Sequence, residues 1–179
     1  VIYCGDYLSL FLFWEMMAFS SVFLVWFRRG PNSLATGYRY LLVHAAGGVI
    51  LLAGILLRYQ ATGNIDFSLM DVAHPQLYTW LIMAGFALNA AVVPLHSWLP
   101  DAYGEASFNG AVFMCAITTK TAVYTLARAC AGMDLLVLLG VVMALCGMFY
   151  ALMENEIRRL LAWSIVSQVG YMVAAVGLG

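Results

Sequence analysis

Charged residues are scarce in this sequence. They make up 9% of the 179 residues, whereas a soluble globular domain carries about 25%. Hydrophobic residues make up 64%, and the formal net charge of −1 leaves no basic surface of the kind that binds nucleic acid. The composition therefore excludes a soluble globular domain and a nucleic-acid partner, and it predicts a protein embedded in a lipid bilayer.

Cysteine pairs and a targeting segment are also missing. The four cysteines show no CxxC spacing, which favours their use as small apolar residues over metal ligation. We therefore expect no metal and no cofactor. The chain opens on Val1 without the charged region or cleavage pattern of a signal peptide. We expect a piece of a longer protein, in which residues 1–179 form a single, partial membrane domain.

Six long apolar segments make up most of the chain. Most of them reach the roughly 20 residues that a helix needs to cross the hydrocarbon core of a bilayer. Because backbone groups in lipid must be satisfied within the segment, runs of this length predict helices. The predicted fold class is all-α, a polytopic transmembrane helix bundle of about six spans. Spans A to F cover residues 3–27, 37–57, 77–93, 108–129, 135–153 and 160–178.

Basic residues are distributed unequally between the two sides of this bundle. Alternate loops must face opposite sides of the membrane, and cytoplasmic loops carry the excess of Lys and Arg. The count favours a cytoplasmic position for the A–B, C–D and E–F loops. Arg28, Arg29, Arg39, Arg158 and Arg159 lie on that side, against Arg58 and Arg128 on the other.

Span C is interrupted by a proline. Its apolar run is short, and Pro94 is followed by a half-apolar stretch that ends at Pro100. Proline removes a backbone donor and clashes with the preceding turn, so span C is predicted to be broken at Pro94. Broken helices are tolerated where they line a cavity, and transporters use them at ion sites. The alternative is a helix that ends at Val93 and continues as an ordinary loop.

Two charged residues lie about halfway along apolar spans. Glu15 is in span A, and Lys120 is in span D, too deep to reach either surface easily. An isolated charge at that depth costs roughly 2.5 to 3.5 kcal/mol on insertion scales, so each should face a partner or water. Opposite charges in separate helices predict a proton-relay site. The alternative is a Glu–Lys pair that only packs two helices together.

Histidine provides two further candidates for the relay. His44 lies near the middle of span B, before small residues that permit close helix approach. Its imidazole could pass protons between Glu15 and Lys120, or it could be a neutral histidine bonded to a carbonyl. His96, in the region of the break, is a weaker candidate. A haem between His44 and His96 is disfavoured because the two lie on different helices.

Span F carries polar residues on one helical face. Ser164, Ser167 and Gln168 are spaced so that they share a face of a helix. They could line a chain of water molecules, or they could form hydrogen bonds between helices, which are worth about 0.6 kcal/mol on average. Both interpretations stay open.

Four stretches resemble a known family. The run VPLHSWLPDA at residues 93–102, followed by Glu105, resembles the antiporter-like subunits shared by respiratory complex I and multisubunit sodium/proton antiporters. Residues 119–124 look like the lysine-bearing helix of that family, and residues 154–164 look like its arginine-rich turn. Residues 13–15 match its glutamate-bearing helix. The resemblance covers nearly the whole chain and is closest to the D-type members among the multisubunit antiporters.

The resemblance implies a fragment of a larger inverted-repeat transporter. This chain would hold the central helices of such a protein, including most of one half-channel. Family members usually place a lysine five residues before the proline of the break, where this chain has Asn89, and many carry a histidine in place of Gln168. The implied channel-lining candidates are Asn89, Pro94, His96, Ser164, Ser167 and Gln168.

Two functions follow from these features. The first is a proton-translocating membrane subunit of a multisubunit cation/proton antiporter or complex I-like assembly, which relays protons through Glu15, His44 and Lys120. Its partners would be other membrane subunits, lipid, protons and Na⁺ or another monovalent cation, in a bacterial plasma membrane. It would be no enzyme by itself, although it could belong to an NADH:quinone oxidoreductase-type complex. The rival, favoured by Asn89, is a non-conducting structural subunit.

Overall fold

The computed structural model describes residues 1–72 and 74–179, and this part of the chain folds into helices joined by short connections. A π-helical turn, Met114–Thr118, connects two of them. The predicted all-α fold class is confirmed. The α-helices are α1 (Tyr7–Trp26), α2 (Ser33–Thr62), α3 (Leu77–Asn89), α4 (Trp98–Glu105), α5 (Phe108–Phe113), α6 (Thr119–Cys130), α7 (Asp134–Met153) and α8 (Ile157–Leu178).

Among the described residues, five helical stretches are long and apolar enough to cross a bilayer. They are α1, α2, α7, α8 and the continuous stretch Phe108–Cys130, which contains α5, the π-turn and α6. The remaining predicted span, span C, is present as α3 and α4, of 13 and 8 residues, each too short to cross alone. The prediction of about six spans with the third one broken is therefore confirmed.

At the break between α3 and α4, backbone and indole N–H groups form hydrogen bonds with a carbonyl that the helix no longer uses. Helix α3 ends at Asn89, Ala91 has a left-handed φ of +56°, and the peptide bond before Pro94 is cis. The Leu88 carbonyl, which lost its helical partner, accepts from the Ala91 N–H at 3.1 Å and from the Trp98 indole N–H at 3.0 Å. A freed carbonyl inside a membrane must be satisfied, and Trp98 meets part of this need.

Helices α1 and α5 each begin after a residue whose side chain caps the first turn. The Asp6 carboxylate accepts from the Ser9 N–H at 2.7 Å at the start of α1. This bond stabilises the charged form, so the pKa of Asp6 is lowered. The Ser107 hydroxyl likewise accepts from the Gly110 N–H at 3.1 Å at the start of α5.

Helices α7 and α8 approach each other closely along a row of glycines. A Cβ atom added at any of these glycines would lie 2.4–2.6 Å from a backbone nitrogen of the opposite helix. Small residues of this kind let transmembrane helices pack backbone against backbone. The Ser167 hydroxyl adds a hydrogen bond of 2.9 Å to the Ala144 carbonyl. The glycines are Gly140 and Gly147 on α7, and Gly170 and Gly177 on α8.

One end of the bundle gathers charged residues of α2, α4, α8 and the connection between α1 and α2. The Asp101 carboxylate lies 3.3 Å from Arg39 and 3.9 Å from Arg159, and Glu105 lies 3.4 Å from Arg28. The three arginines are predicted to share one side, and the structure brings them to the same end. The pairs are partly exposed, and such pairs contribute about 0–1 kcal/mol each.

Candidate functional site

Glu15 lies halfway along α1 and rests on a glycine of α2. A Cβ atom added at Gly48 would lie 1.9 Å from Glu15 Oε1. The carboxylate thus occupies the space that a side chain at position 48 would need. Oε1 is buried and has no hydrogen-bond partner among the described residues. The carboxylate is held between two helices with one acceptor atom unused.

Gly48→Ala is expected to reduce any activity that needs Glu15, because the new methyl group displaces the carboxylate. A misplacement of about 1 Å can lower a rate roughly a hundredfold. Proton-driven quenching of a pH-sensitive dye in vesicles that hold the intact assembly measures the effect, and Glu15→Gln in the same vesicles shows the loss of the charge itself. Gly47→Ala is the matched control, because its Cβ meets only the flexible Leu88 side chain, at 3.2 Å. Wild-type rates in a well-assembled Gly48→Ala variant would contradict the placement of the carboxylate.

His44 lies one turn before Gly48 and is enclosed by aromatic rings. Its side chain is 1% exposed, and its ring centroid lies 4.0 Å from that of Tyr40 and 4.5 Å from that of Trp98. Nδ1 lies 2.9 Å from the Tyr40 carbonyl. A carbonyl only accepts, so Nδ1 carries a hydrogen, and in the neutral imidazole Nε2 then presents a lone pair. Nε2 is buried without a protein partner among residues 1–72 and 74–179.

Tyr40 links this histidine to α1. Its hydroxyl lies 2.7 Å from the Ser21 hydroxyl, which in turn donates to the Ala18 carbonyl at 2.8 Å. Since the Ser21 hydrogen is used in that bond, the Tyr40 hydroxyl is the donor to Ser21. The bond ties α1 to α2 inside the bundle.

Lys120 is the second residue of α6, two residues after the end of the π-turn. Its side chain is half-buried, and Nζ lies 3.4 Å from the Sγ atom of Cys115. Within the described ranges, neither Lys120 nor Glu15 takes part in an ion pair. The structure therefore does not bring the two charges into direct contact. π-helical turns occur frequently at functional sites.

Tyr103 lies in α4 and lines a cavity together with Cys115. It is 4% exposed, and its hydroxyl is close to the Thr119 side chain without a complete hydrogen bond. Sequence reasoning missed this residue. Its only signal was a tyrosine in the short second half of the broken span.

Asn89 is the last residue of α3, at the edge of the break. It is 1% exposed, and neither its amide nitrogen nor its amide oxygen has a hydrogen-bond partner in the described part of the chain. Buried polar atoms of this kind are usually satisfied by ordered water. The amide is therefore a candidate hydration site, although it cannot carry a proton charge as lysine does.

The remaining channel-lining candidates lie in different places. Ser164 and Gln168 line a cavity of about 420 Å³ between α5, the π-turn and α8, whereas Ser167 bonds to α7 instead. His96 lies 5.4 Å from Trp163 between ring centroids, and its Nδ1 is buried without a partner among the residues described. Pro94 is exposed. The structure thus groups only Ser164 and Gln168 around one space.

Comparison with known proteins decides the family. The family model described as NADH:quinone oxidoreductase/Mrp antiporter, TM, matches residues 4–179. The chain belongs to this family. Component B of hydrogenase-4 from Escherichia coli (strain K12) is 34% identical over 182 residues, which cover 92% of this chain and 27% of that protein. Subunit N of NADH-quinone oxidoreductase from Desulforudis audaxviator is 32% identical, over 98% of this chain and 38% of that protein.

A solved structure shows the same arrangement of helices. A chain of the Mrp complex from Dietzia sp. DQ12-45-1b superposes with a TM-score of 0.87 at 28% identity, over 97% of this chain and 36% of that one. The predicted resemblance to the antiporter family is confirmed, and the chain is an integral, multi-pass membrane protein. It spans between about a quarter and two fifths of the length of these antiporter-family proteins.

Proposed function

We propose that this chain is the proton-conducting part of a subunit of a multisubunit cation/proton antiporter or complex I-like assembly. The observation that supports it is a set of buried polar atoms without hydrogen-bond partners among the described residues, namely Glu15 Oε1, His44 Nε2 and the Tyr103 hydroxyl. In the proposed row the proton passes from Glu15 through His44 and Tyr103 to Lys120.

The first step of the proposed path runs from Glu15 to His44. Gly48, on which Glu15 rests, and His44 are four residues apart and so share a face of α2. The unused atoms, Glu15 Oε1 and His44 Nε2, are both acceptors when the groups are unprotonated. A water molecule, with two hydrogens to donate, is complementary to such a pair. A proton held by either group could pass through that water.

The second step runs from His44 to Lys120. The Trp98 ring packs against His44 and begins α4, the helix that also carries Tyr103. The Tyr103 hydroxyl is close to Thr119, the residue before Lys120. A hydroxyl both donates and accepts, so it can hand on a proton without holding a charge. Lys120 can store the proton at the far end of the row, as Glu15 and His44 can at the near end.

The rival function, a non-conducting structural subunit, is favoured by Asn89. The buried amide stands where a family member would carry a titratable amine. If protons need that amine, this half-channel is closed, and the chain only packs within its complex. In the proposed path, Asn89 serves as a hydration site and the proton bypasses it.

Asn89→Lys separates the two functions. If the path is tuned around a neutral amide, a second buried amine near Lys120 should slow proton flux, because like charges at short range disfavour joint protonation. Asn89→Met is the matched control, since methionine has about the length of lysine and no charge. The readout is proton flux in vesicles that hold the full-length protein in its assembly. No flux in the wild type together with a clear gain in Asn89→Lys would favour the structural subunit.

The proposal extends to the surroundings of the chain. It includes a bacterial plasma membrane, further membrane subunits as partners, and Na⁺ or another monovalent cation as the exchanged ion. Residues 1–179 are proposed to form one continuous membrane domain within the longer protein.

A further inference from the structure

The π-turn before Lys120 changes which side chains are neighbours. In a regular α-helix, residues five apart point about 140° away from each other. In a π-helix the backbone bonds run from residue i to residue i+5, which brings such residues onto one side. The turn spans Met114–Thr118 and so aligns Cys115 with Lys120. The 3.4 Å contact between Sγ and Nζ follows from this local geometry.

The contact gives Lys120 a soft, neutral partner. An ammonium group offers three donors and no acceptor, while a thiol sulfur is a weak acceptor. No carboxylate lies within ion-pair distance of Nζ in the described residues. The thiol therefore orients the amine without fixing its charge as a carboxylate would. The Cys115 backbone is held as well, because its carbonyl accepts from the Thr119 hydroxyl at 3.3 Å.

A second observation comes from the cavity that Cys115 lines. Tyr103 also lines this cavity of about 420 Å³, is 4% exposed, and has a hydroxyl without a hydrogen-bond partner in the part of the chain that is described. Cys115 thus contacts the lysine amine and shares a cavity with an unsatisfied hydroxyl.

We propose that Cys115 is a positioning residue, whose sulfur holds the Lys120 amine beside the cavity that Cys115 and Tyr103 line. The contact itself stands on the geometry of the π-turn. Its consequence for transport rests on the proposed function, so the two are tested separately.

The first test detects the contact by the infrared S–H stretch of Cys115 in the full-length protein within its assembly. The band that disappears in Cys115→Ser belongs to this thiol, which separates it from the other three cysteines. In Lys120→Met the band should shift, because the sulfur loses the hydrogen bond it accepts. A band at the same frequency in both proteins would overturn the contact. This measurement needs no transport activity.

The second test is a rescue of proton flux. Cys115→Ala removes the acceptor and should lower flux about tenfold. A tenfold lower rate corresponds to an activation free energy that is higher by about 1.4 kcal/mol. Cys115→Ser keeps an acceptor at the same place and should retain most of the flux. Equal flux in Cys115→Ala and the wild type would overturn the positioning role. So would equal losses in Cys115→Ser and Cys115→Ala, because a role in packing alone would not distinguish them by their acceptor.

The two tests also distinguish failure of the Cys115–Lys120 contact from failure of the proposed function. If the wild-type assembly shows no proton flux but the S–H band shifts in Lys120→Met, the proposed function fails and the contact stands. If flux is normal and the band does not move, the contact fails and the proposed function stands.

Discussion

Replacing Lys120 with methionine is expected to slow proton flux at least about a hundredfold, the range in which a positioned proton-transfer group contributes. Lys120 is the only lysine of the chain and the only amine in the proposed row. Methionine keeps the length and the apolar stem, so packing around the π-turn should be preserved. Flux is measured in vesicles that hold the intact assembly, and the amount of assembled protein is quantified in the same preparation.

Arg159→Gln is the matched control for this experiment. It also removes one positive charge, but Arg159 lies in the exposed charge cluster at the end of the bundle. Flux should therefore change little. If Lys120→Met and Arg159→Gln behave alike, net charge and not the buried amine determines the rate, and the relay through Lys120 is wrong.

Gly140→Ala is expected to destabilise the contact between α7 and α8. The added Cβ would lie 2.4 Å from the Ala174 backbone nitrogen and 2.7 Å from the Gly170 carbonyl oxygen, so the helices must separate. Overpacking of this kind costs about 1–3 kcal/mol. Alanine also raises helix propensity by about 1 kcal/mol relative to glycine, so a measured loss of stability reports the lost packing.

The loss should appear as a lower unfolding temperature of the purified protein and as less assembled complex. Gly5→Ala is the control, because a Cβ at that position has nothing within 4 Å. A Gly140→Ala variant at least as stable as Gly5→Ala would show that the two helices are free to move apart.

The membrane fold could be predicted because hydropathy alone decides it. Span lengths and the break at Pro94 follow from local sequence, since lipid excludes unpaired backbone and proline cannot continue a helix. The structure adds a hydrogen bond across the break, which the Trp98 indole N–H donates to the Leu88 carbonyl ten residues earlier. Nothing in the local sequence indicates that bond, because it depends on how α4 turns after the break.

The candidate site could be predicted only in part, for a different physical reason. Glu15 and Lys120 stand out because isolated charges are costly in lipid. Their neighbours are decided by helix packing and helix type. Tyr103 is brought beside Thr119 by tertiary structure. Cys115 is brought beside Lys120 by a π-turn, and the residues Met114–Thr118 carry no sequence signal that predicts this turn.

The two halves of the broken span are held by forces that respond to different conditions. Helix α3 is fixed among apolar side chains in the membrane, with Ile82 and Phe86 fully buried. Helix α4 also buries apolar side chains, among them Leu99 and Ala102, and in addition its Asp101 and Glu105 form ion pairs with Arg39 of α2 and with Arg28. Dissolved ions screen exposed charge pairs and leave apolar contacts almost untouched. High ionic strength therefore weakens the ion pairs of α4 and leaves the apolar contacts of both helices in place, so that only α4 loses part of what holds it.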